Sequence, residues 1–325
     1  MMRRLLIVGC GDVALRAAPI LSRRYRLYAL SRTPERHSEL RAHHITPIVG
    51  DLDDGRSLRR IAGLADHVLH LAPPSGRGLR DRRTARLLAA LGRRGSLPRV
   101  LLYISTTGVY GDCRGERVPE TRRPQPGTDR ARRRIDAERL LRAFSRRTGV
   151  QIPILRVPGI YARERLPLER LRAGTPALRV EDDAYTNHIH ADDLAMICAT
   201  ALRKGRAGRV YHAVDESELR MGEYFDAVAD AFELPRPPRV TREEAQAVLP
   251  PELLSFMGES RRLARDRLRK ELGVRLRYPT VQAALAQIAP TGHCASSTNP
   301  APGHSCRGRR LAPERNPVKI PGSLG

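Results

Sequence analysis

The apolar run Leu5-Leu6-Ile7-Val8 stops at Gly9 and continues as Cys10-Gly11-Asp12-Val13-Ala14 before Leu15-Arg16-Ala17-Ala18-Pro19-Ile20-Leu21. A short, uninterrupted apolar stretch closed by glycine reads as a buried parallel strand, and the segment after it reads as a helix. The spacing Gly9, Gly11, Ala14 is the G-x-G-x-x-G/A turn that receives a dinucleotide, in its alanine form. Gly9 permits the tight turn, Gly11 lets a pyrophosphate approach bare backbone, and Ala14 lets the helix pack close to the strand. The free N–H groups at Asp12 and Val13 and the positive end of the helix dipole then face the phosphates. A turn of this kind commits the chain to a doubly wound α/β sheet.

The end of the second strand selects the nucleotide. An NAD site places Asp or Glu there, about 20 residues beyond the turn, to hold the ribose hydroxyls. Here the segment reads Tyr25-Arg26-Leu27-Tyr28-Ala29-Leu30-Ser31-Arg32, with no carboxylate. A hydroxyl at Ser31 and a guanidinium at Arg32 suit a ribose 2′-phosphate, so NADP is expected and NAD is the alternative. Further strand-like runs are Ile45 to Gly50, Asp66 to Leu71 and Arg99 to Ser105, each closed by small or turn-forming residues. Ligands bind at the carboxyl ends of such strands, which assigns Asp51 and Leu52 to the adenine end and Leu71, Ala72 and Pro73 to the cofactor's middle. The spacing of Ala137, Leu140, Leu141 and Phe144 predicts a helix with one buried face.

Charge points elsewhere at first sight. The 325 residues carry a formal net charge of +24, which would suggest nucleic acid or an anionic membrane. The basic residues are nearly all arginines spread along the chain, lysine occurring only at Lys204, Lys270 and Lys319, and tryptophan is absent. Without a compact basic stripe or an aromatic platform, a nucleic-acid role is disfavoured. Arg3-Arg4 before the first apolar run imitates a signal sequence, but that run is shorter than the roughly 7 to 15 residues an h-region needs. Cys10, Cys113, Cys198, Cys294 and Cys306 form no paired framework, so a reducing cytoplasm is the expected compartment. No membrane association is expected.

Tyr103-Ile104-Ser105-Thr106-Thr107-Gly108-Val109-Tyr110-Gly111 resembles the S-S/T-x-x-V-Y-G segment of the extended short-chain dehydrogenases/reductases, the NAD-dependent epimerase/dehydratase family. Leu155 to Tyr161 resembles the family's strand and loop under the nicotinamide, Asn187-His188-Ile189-His190-Ala191-Asp192-Asp193-Leu194 its N-x-I-H-V-x-D-L helix start, and Val210 to Val214 its last core strand. The resemblance spans roughly residues 3 to 285. It implies a Rossmann-type doubly wound parallel sheet with a small C-terminal substrate lobe: 1–157 and 188–215 mainly the cofactor core, 158–187 and 216–290 mainly the lobe. It also implies Ser105 beside the cofactor and Thr106 as the hydroxyl that holds a substrate oxygen. Helices are expected over Met221 to Phe232 and Arg261 to Leu272, with Arg261-Arg262 resembling a segment that faces the substrate.

The sequence departs from the family at its proton relay. Aligning Glu138 with the glutamate that usually follows the Tyr-x-x-x-Lys pair places Arg130 where tyrosine belongs and Arg134 where lysine belongs. Arginine keeps its proton near neutral pH, so it is no general acid or base. Three readings stay open. The chain is an NADP-dependent oxidoreductase or epimerase whose proton comes from Tyr110, Tyr161, His188 or a water on Thr106, although each side chain also has a plain packing role. Alternatively, it is a non-catalytic NAD(P)-binding sensor in which Arg130 and Arg134 clamp a phosphate or carboxylate. The third is a nucleic-acid or surface-binding protein. The expected partners are a small-molecule substrate and, as an option, a second copy in a homodimer. A metal site at His188, His190, Asp192 and Asp193 is not expected, because helix capping explains the aspartates. The missing relay predicts weak or absent activity on sugar nucleotides and simple carbonyl compounds.

From Thr291 to Gly325 the chain is rich in Pro, Gly, Ser and Arg without an apolar period, the composition of a disordered tail. Deleting residues 291–325 should leave the melting temperature unchanged within scatter, since a segment that buries no apolar surface adds little to folding. A large drop in a thermal melt would show that the tail docks.

Overall fold

In a computed structural model, residues 2–93, 97–250, 254 and 257–289 are described, and the expected tail lies outside them. The central sheet is built from β1 (Arg3–Val8), β2 (Tyr25–Ser31), β3 (Ile45–Val49), β4 (His67–His70), β5 (Val100–Thr106), β7 (Ile154–Val157) and β12 (Val210–His212). Its order is β12-β7-β5-β4-β1-β2-β3, and the paired strands all run parallel. The chain leaves β1 outward through β2 and β3, then returns to the other side of β1 as β4. That reversal opens a crevice between the carboxyl ends of β1 and β4, where a doubly wound sheet binds its ligand.

Alternation along the strands builds both faces. Leu5 and Ile7 of β1 enter one core with Leu102 and Ile104 of β5, against helices α1 (Asp12–Leu21) and α6 (Ala191–Lys204). Leu6, Val8, Leu101 and Tyr103 enter the other, against α3 (Arg82–Leu91) and α4 (Asp129–Thr148). The four β1 side chains are fully buried, and burying one such side chain is worth about 1.5–3 kcal/mol. Between β2 and β3 lies the short α2 (His37–Ala42).

Helix α4 starts where the Thr128 side chain accepts from the Ala131 N–H (3.2 Å) and stops at Gly149, whose φ of +75° ends it in a left-handed turn. As expected, Ala137, Leu141 and Phe144 are buried. Glu138 is buried beside them, against Arg156 of β7, through Nε–Oε1 (3.0 Å) and Nη2–Oε2 (2.7 Å). Ser105 donates its hydroxyl to the same carboxylate at 2.7 Å.

The lobe has its own core, in which Tyr161, Leu171, Tyr224, Phe225, Val228, Tyr278, Val281 and Leu285 meet. Its elements include β8 (Gly159–Tyr161), α5 (Leu168–Arg172), α7 (Met221–Ala231) and the helix Val281–Ile288. The expected helix over Arg261 to Leu272 is corrected. Arg262–Leu263 is a strand paired with β6 (Arg117–Val118), its Arg262 and Ala264 N–H groups bound to Glu116 and Val118 carbonyls, and helix forms only over Asp266–Lys270. Leu268, Leu272 and Val274 then pack into the sheet's core rather than the lobe's. Among the described residues, no helix is long and apolar enough to cross a membrane.

The buried Arg156–Glu138 pair gives a stability prediction. Glu138→Ala strands a desolvated guanidinium, a change that costs about 3–5 kcal/mol. Urea denaturation should show a loss of that order, and a loss below about 1 kcal/mol would mean the pair behaves as an exposed one.

Candidate functional site

Two cavities open along the carboxyl edge of the sheet. The first, about 260 Å³, is lined by Gly9, Cys10, Leu30, Ser31, Arg32, Arg36, Asp51, Leu52, Ala72 and Arg83, among others. It begins at the glycine turn. Gly9 has φ +91°, and a Cβ on it would lie 2.4 Å from the Ala72 nitrogen, so only glycine fits. Around Gly11 a Cβ would meet nothing within 4 Å, which leaves the backbone at the start of α1 open to a ligand. A closed turn followed by an open helix start is the cradle a pyrophosphate requires, so these residues fit a dinucleotide.

Ser31, Arg32, Asp51, Leu52 and Ala72 thus line the pocket where expected, and Arg36 and Arg83 join them. Arg36 donates to the Cys10 carbonyl at 2.9 Å, while Arg83 is ion-paired with Asp53. Ser31 spends its hydroxyl on the Thr33 carbonyl (3.1 Å). Burial pushes the Cys10 thiol up to about 11 despite nearby Arg36, so it stays protonated at neutral pH.

Other expected cofactor residues lie outside this cavity's lining, and Ala14 among them packs α1 close to the strand as expected. Asp12 holds Arg16 (2.7 Å) and Arg165 (2.8 Å), in a network that Asp192 and Glu164 complete through Arg16. Its charge is thereby offset beside the phosphate cradle. Val13, Ala14 and Leu71 pack in the core, and the Pro73 carbonyl accepts from Arg83. Ser105 does not line either cavity, because Glu138 takes its hydroxyl.

The second cavity, about 350 Å³, lies between the sheet and the lobe. Thr106, Arg130, Arg134, His188 and Arg261 line it as the sequence suggested, together with Thr128, Tyr185 and Glu259. Thr106 Oγ1 accepts from the Gly108 N–H (3.3 Å), which leaves its own O–H to donate into the cleft. Arg134 reaches back to β5, donating to the Ile104 carbonyl (2.8 Å) and Tyr103 hydroxyl (3.1 Å). Tyr185 lies on β10 (Tyr185–Thr186), its ring faced by the guanidiniums of Arg220 and Arg262 at 5.0 and 5.1 Å.

The proton-donor candidates divide. Tyr110 is fully buried, accepts from Arg156 (2.7 Å) and is bonded at 2.6 Å to His212 Nε2. His212 Nδ1 sits 2.7 Å from the Ala264 carbonyl, so it carries the proton and Tyr110 donates to Nε2. Tyr110 is therefore structural. His188, on β11 (His188–His190), lines the cleft and stacks on Tyr224 at 4.1 Å, and burial lowers its pKa to about 3, keeping the ring neutral. Beneath it lie Tyr161 and Asp215, whose N–H donates to the His188 carbonyl (2.8 Å). Burial raises the Asp215 carboxyl to about 7. Three residues of the disfavoured metal site have other partners: His190 Nδ1 accepts from the Asp192 N–H, the Asp192 carboxylate pairs with Arg16, and Asp193 accepts from the Arg277 and Tyr278 N–H groups.

The family model for the NAD dependent epimerase/dehydratase family matches residues 16–214. This chain belongs to that family. The match starts after the glycine turn, so the turn is identified by its own geometry. No curated protein matches significantly. Among solved structures, a conserved protein of unknown function from Silicibacter pomeroyi is similar at 28% identity, TM-score 0.75, covering 88% of this chain and 98% of that one. A dTDP-glucose 4,6-dehydratase from Streptomyces venezuelae, solved with NAD, shares 21% identity at TM-score 0.71 over 88% and 95% of the two chains. Another from Bacillus anthracis, also with NAD, shares 15% at TM-score 0.72 over 89% and 96%. At these last two identities the likeness establishes the fold, a Rossmann-type epimerase/dehydratase architecture.

Sequence reading missed Arg36, Arg83, Thr128, Tyr185 and Glu259. Arg36 ends the short 3-10 turn Pro34–Arg36 that follows the extended Thr33, and no helical spacing ties it to Arg32. Glu259 and Tyr185 arrive from the lobe, and no local pattern marks them.

The Asp215 shift gives a pH prediction. The folded pKa of about 7 exceeds the ordinary 3.8, so the folded state holds a proton the unfolded state releases. The stability from this group is complete below the lower value and is lost as pH rises through the upper one. Asp215→Asn cannot ionise, so its stability relative to the parent should climb between about pH 4 and pH 7 and level off above, by up to about 1.4 kcal/mol per pH unit. Thermal melts across that range test it, and a constant difference would place the carboxyl's titration below the window.

Proposed function

We propose that this family member binds NADP(H) in preference to NAD(H) and serves as an oxidoreductase or epimerase on a small molecule held beside Thr106. The observation that carries the reading is the pocket at the end of β2. The end of β2 itself carries no carboxylate, and Arg32, Arg36 and Arg83 line this pocket together with Asp51, a predominance of positive charge that suits a ribose 2′-phosphate. The neighbours solved with NAD support a nicotinamide cofactor, and the arginines favour its phosphorylated form.

When bound, the nicotinamide supplies or accepts the hydride. The chain's own part is to hold the dinucleotide on the Gly9–Gly11 turn and to donate the Thr106 O–H to a substrate oxygen. Arg130 and Arg134 keep their protons, so they bind and orient charge rather than transfer protons. Proton transfer then falls to water on Thr106, because a His188 ring held near 3 neither carries a proton to give nor takes one up readily at neutral pH. The second reading, a sensor that binds cofactor without turnover, is favoured by one observation: Arg134 is tied to β5 through the Ile104 carbonyl and Tyr103, with no tyrosine at position 130 for it to activate.

Cofactor titration by fluorescence should give tighter binding of NADPH than NADH, and Arg32→Asp should erase or reverse the preference. A charge-assisted phosphate contact is worth about 1.5–3 kcal/mol, or roughly 10- to 150-fold in affinity. Equal affinities in the parent protein would sink the NADP reading. Mass spectrometry of small molecules retained on purification supplies the substrate for a turnover assay, in which Thr106→Ala should abolish NADPH oxidation. Tight cofactor binding with no oxidation of that substrate set would favour the sensor.

A further inference from the structure

The charge balance inside the cleft is unusual. Arg130, Arg134 and Arg261 line it, and among the described residues Glu259 is the one acidic side chain that does so. Guanidiniums stay ionised in proteins, so the cavity holds three fixed positive charges against a single negative one. The two groups that Arg134 hydrogen-bonds, the Tyr103 hydroxyl and the Ile104 carbonyl, are neutral. Burial works against the charge of Arg130, and the charge it gains from is that of Glu259.

Glu259 itself is placed as a ligand would be. Arg261 Nη1 donates to its Oε2 at 2.8 Å and to the Gly111 carbonyl at 2.7 Å, and both side chains of the pair are mostly buried. The buried Arg261 Nε has no hydrogen-bond partner. A buried ionic donor without a partner costs free energy, so the arrangement of Arg261 against Glu259 is not a fully satisfied one. Positions for a Cβ on Gly108 and on Gly127 lie 3.8 and 3.7 Å from the two Glu259 oxygens. The carboxylate therefore spans from the lobe to the turn after Thr106 and to the residue before Thr128, where α4 begins.

We propose that this cleft takes the carboxylate or phosphate group of a small molecule, and that Glu259 is an internal anion which that group displaces. The proposal deepens the function above by giving the substrate its charge, and it rests on that reading for the cleft's role as the substrate site. Residues Arg130 and Arg134 then have a positive use in place of the relay they replace. With Glu259 released, Arg261 recovers a donor at Nη1 for an oxygen of the incoming anion.

The test is calorimetric titration of the full chain with inorganic pyrophosphate and with malonate at fixed ionic strength, with and without NADPH. Glu259→Gln keeps the shape of the side chain and removes its charge. It should bind at least one of the two anions about tenfold more tightly than the parent, and adding Arg130→Gln should remove the gain. Arg130→Gln alone, a safeguard should the first variant fold poorly, should bind both anions more weakly than the parent. NADPH affinity is measured in every variant, so failure of the cofactor reading is seen separately from failure of this one. Unchanged or weaker anion binding in Glu259→Gln, a gain that survives Arg130→Gln, or parental affinity in Arg130→Gln alone would each overturn the proposal.

Discussion

The contact of Gly9 with the end of β4 is the constraint on which the rest of the molecule depends. The Leu71 and Ala72 N–H groups both bind the Val8 carbonyl, at 2.8 and 2.9 Å, which draws the chain after β4 tightly against the end of β1. Only a residue without Cβ, able to hold a φ of +91°, turns away from the strand at that distance. Because of that turn, α1 starts above the crevice with its first N–H groups exposed. The cradle and the first cavity, which Gly9 and Ala72 line, follow from it.

A second constraint joins the far half of the sheet to the lobe. Arg156 of β7 binds Glu138 on α4, and through Tyr110 it also touches His212, which is bonded to the Ala264 carbonyl. A buried ion pair is not in itself a large source of stability, since desolvation offsets most of the attraction. What this one supplies is position. It fixes α4 relative to β5 and β7, and α4 is the helix that delivers Arg130 and Arg134 to the cleft.

Arginine at those two positions changes the chemistry available. A lysine can pass its influence to a neighbouring phenol, whereas a guanidinium is a planar, permanently charged fork suited to oxygen pairs. Arg134 uses that fork on β5 itself, and Arg130 stands near Glu259. Thr106 lines this cleft together with Arg130 and Arg134, and the proposed anion recognition rests on those fixed charges.

The sheet was legible in the sequence because local rules govern it. The run Leu5 to Val8 and the glycines at 9 and 11 show their burial and their backbone needs within a few residues. Arg32 could be read in the same way, from what is missing at the end of β2. The stretch Arg261 to Leu272 could not: its helical spacing lost to pairing with Arg117–Val118, a partner more than 140 positions away, which satisfies its N–H groups with strand bonds. Ser105 and Asp12 were likewise settled by partners distant in the chain, Glu138 and Arg165, which claimed their polar atoms. The sequence by itself thus determined the fold and the cofactor cradle, and it placed arginine at positions 130 and 134. Only the tertiary structure decided which charges share the cleft, because Arg130, Arg261 and Glu259 meet through the packing of the lobe on the sheet, and electrostatics acts through space rather than along the chain.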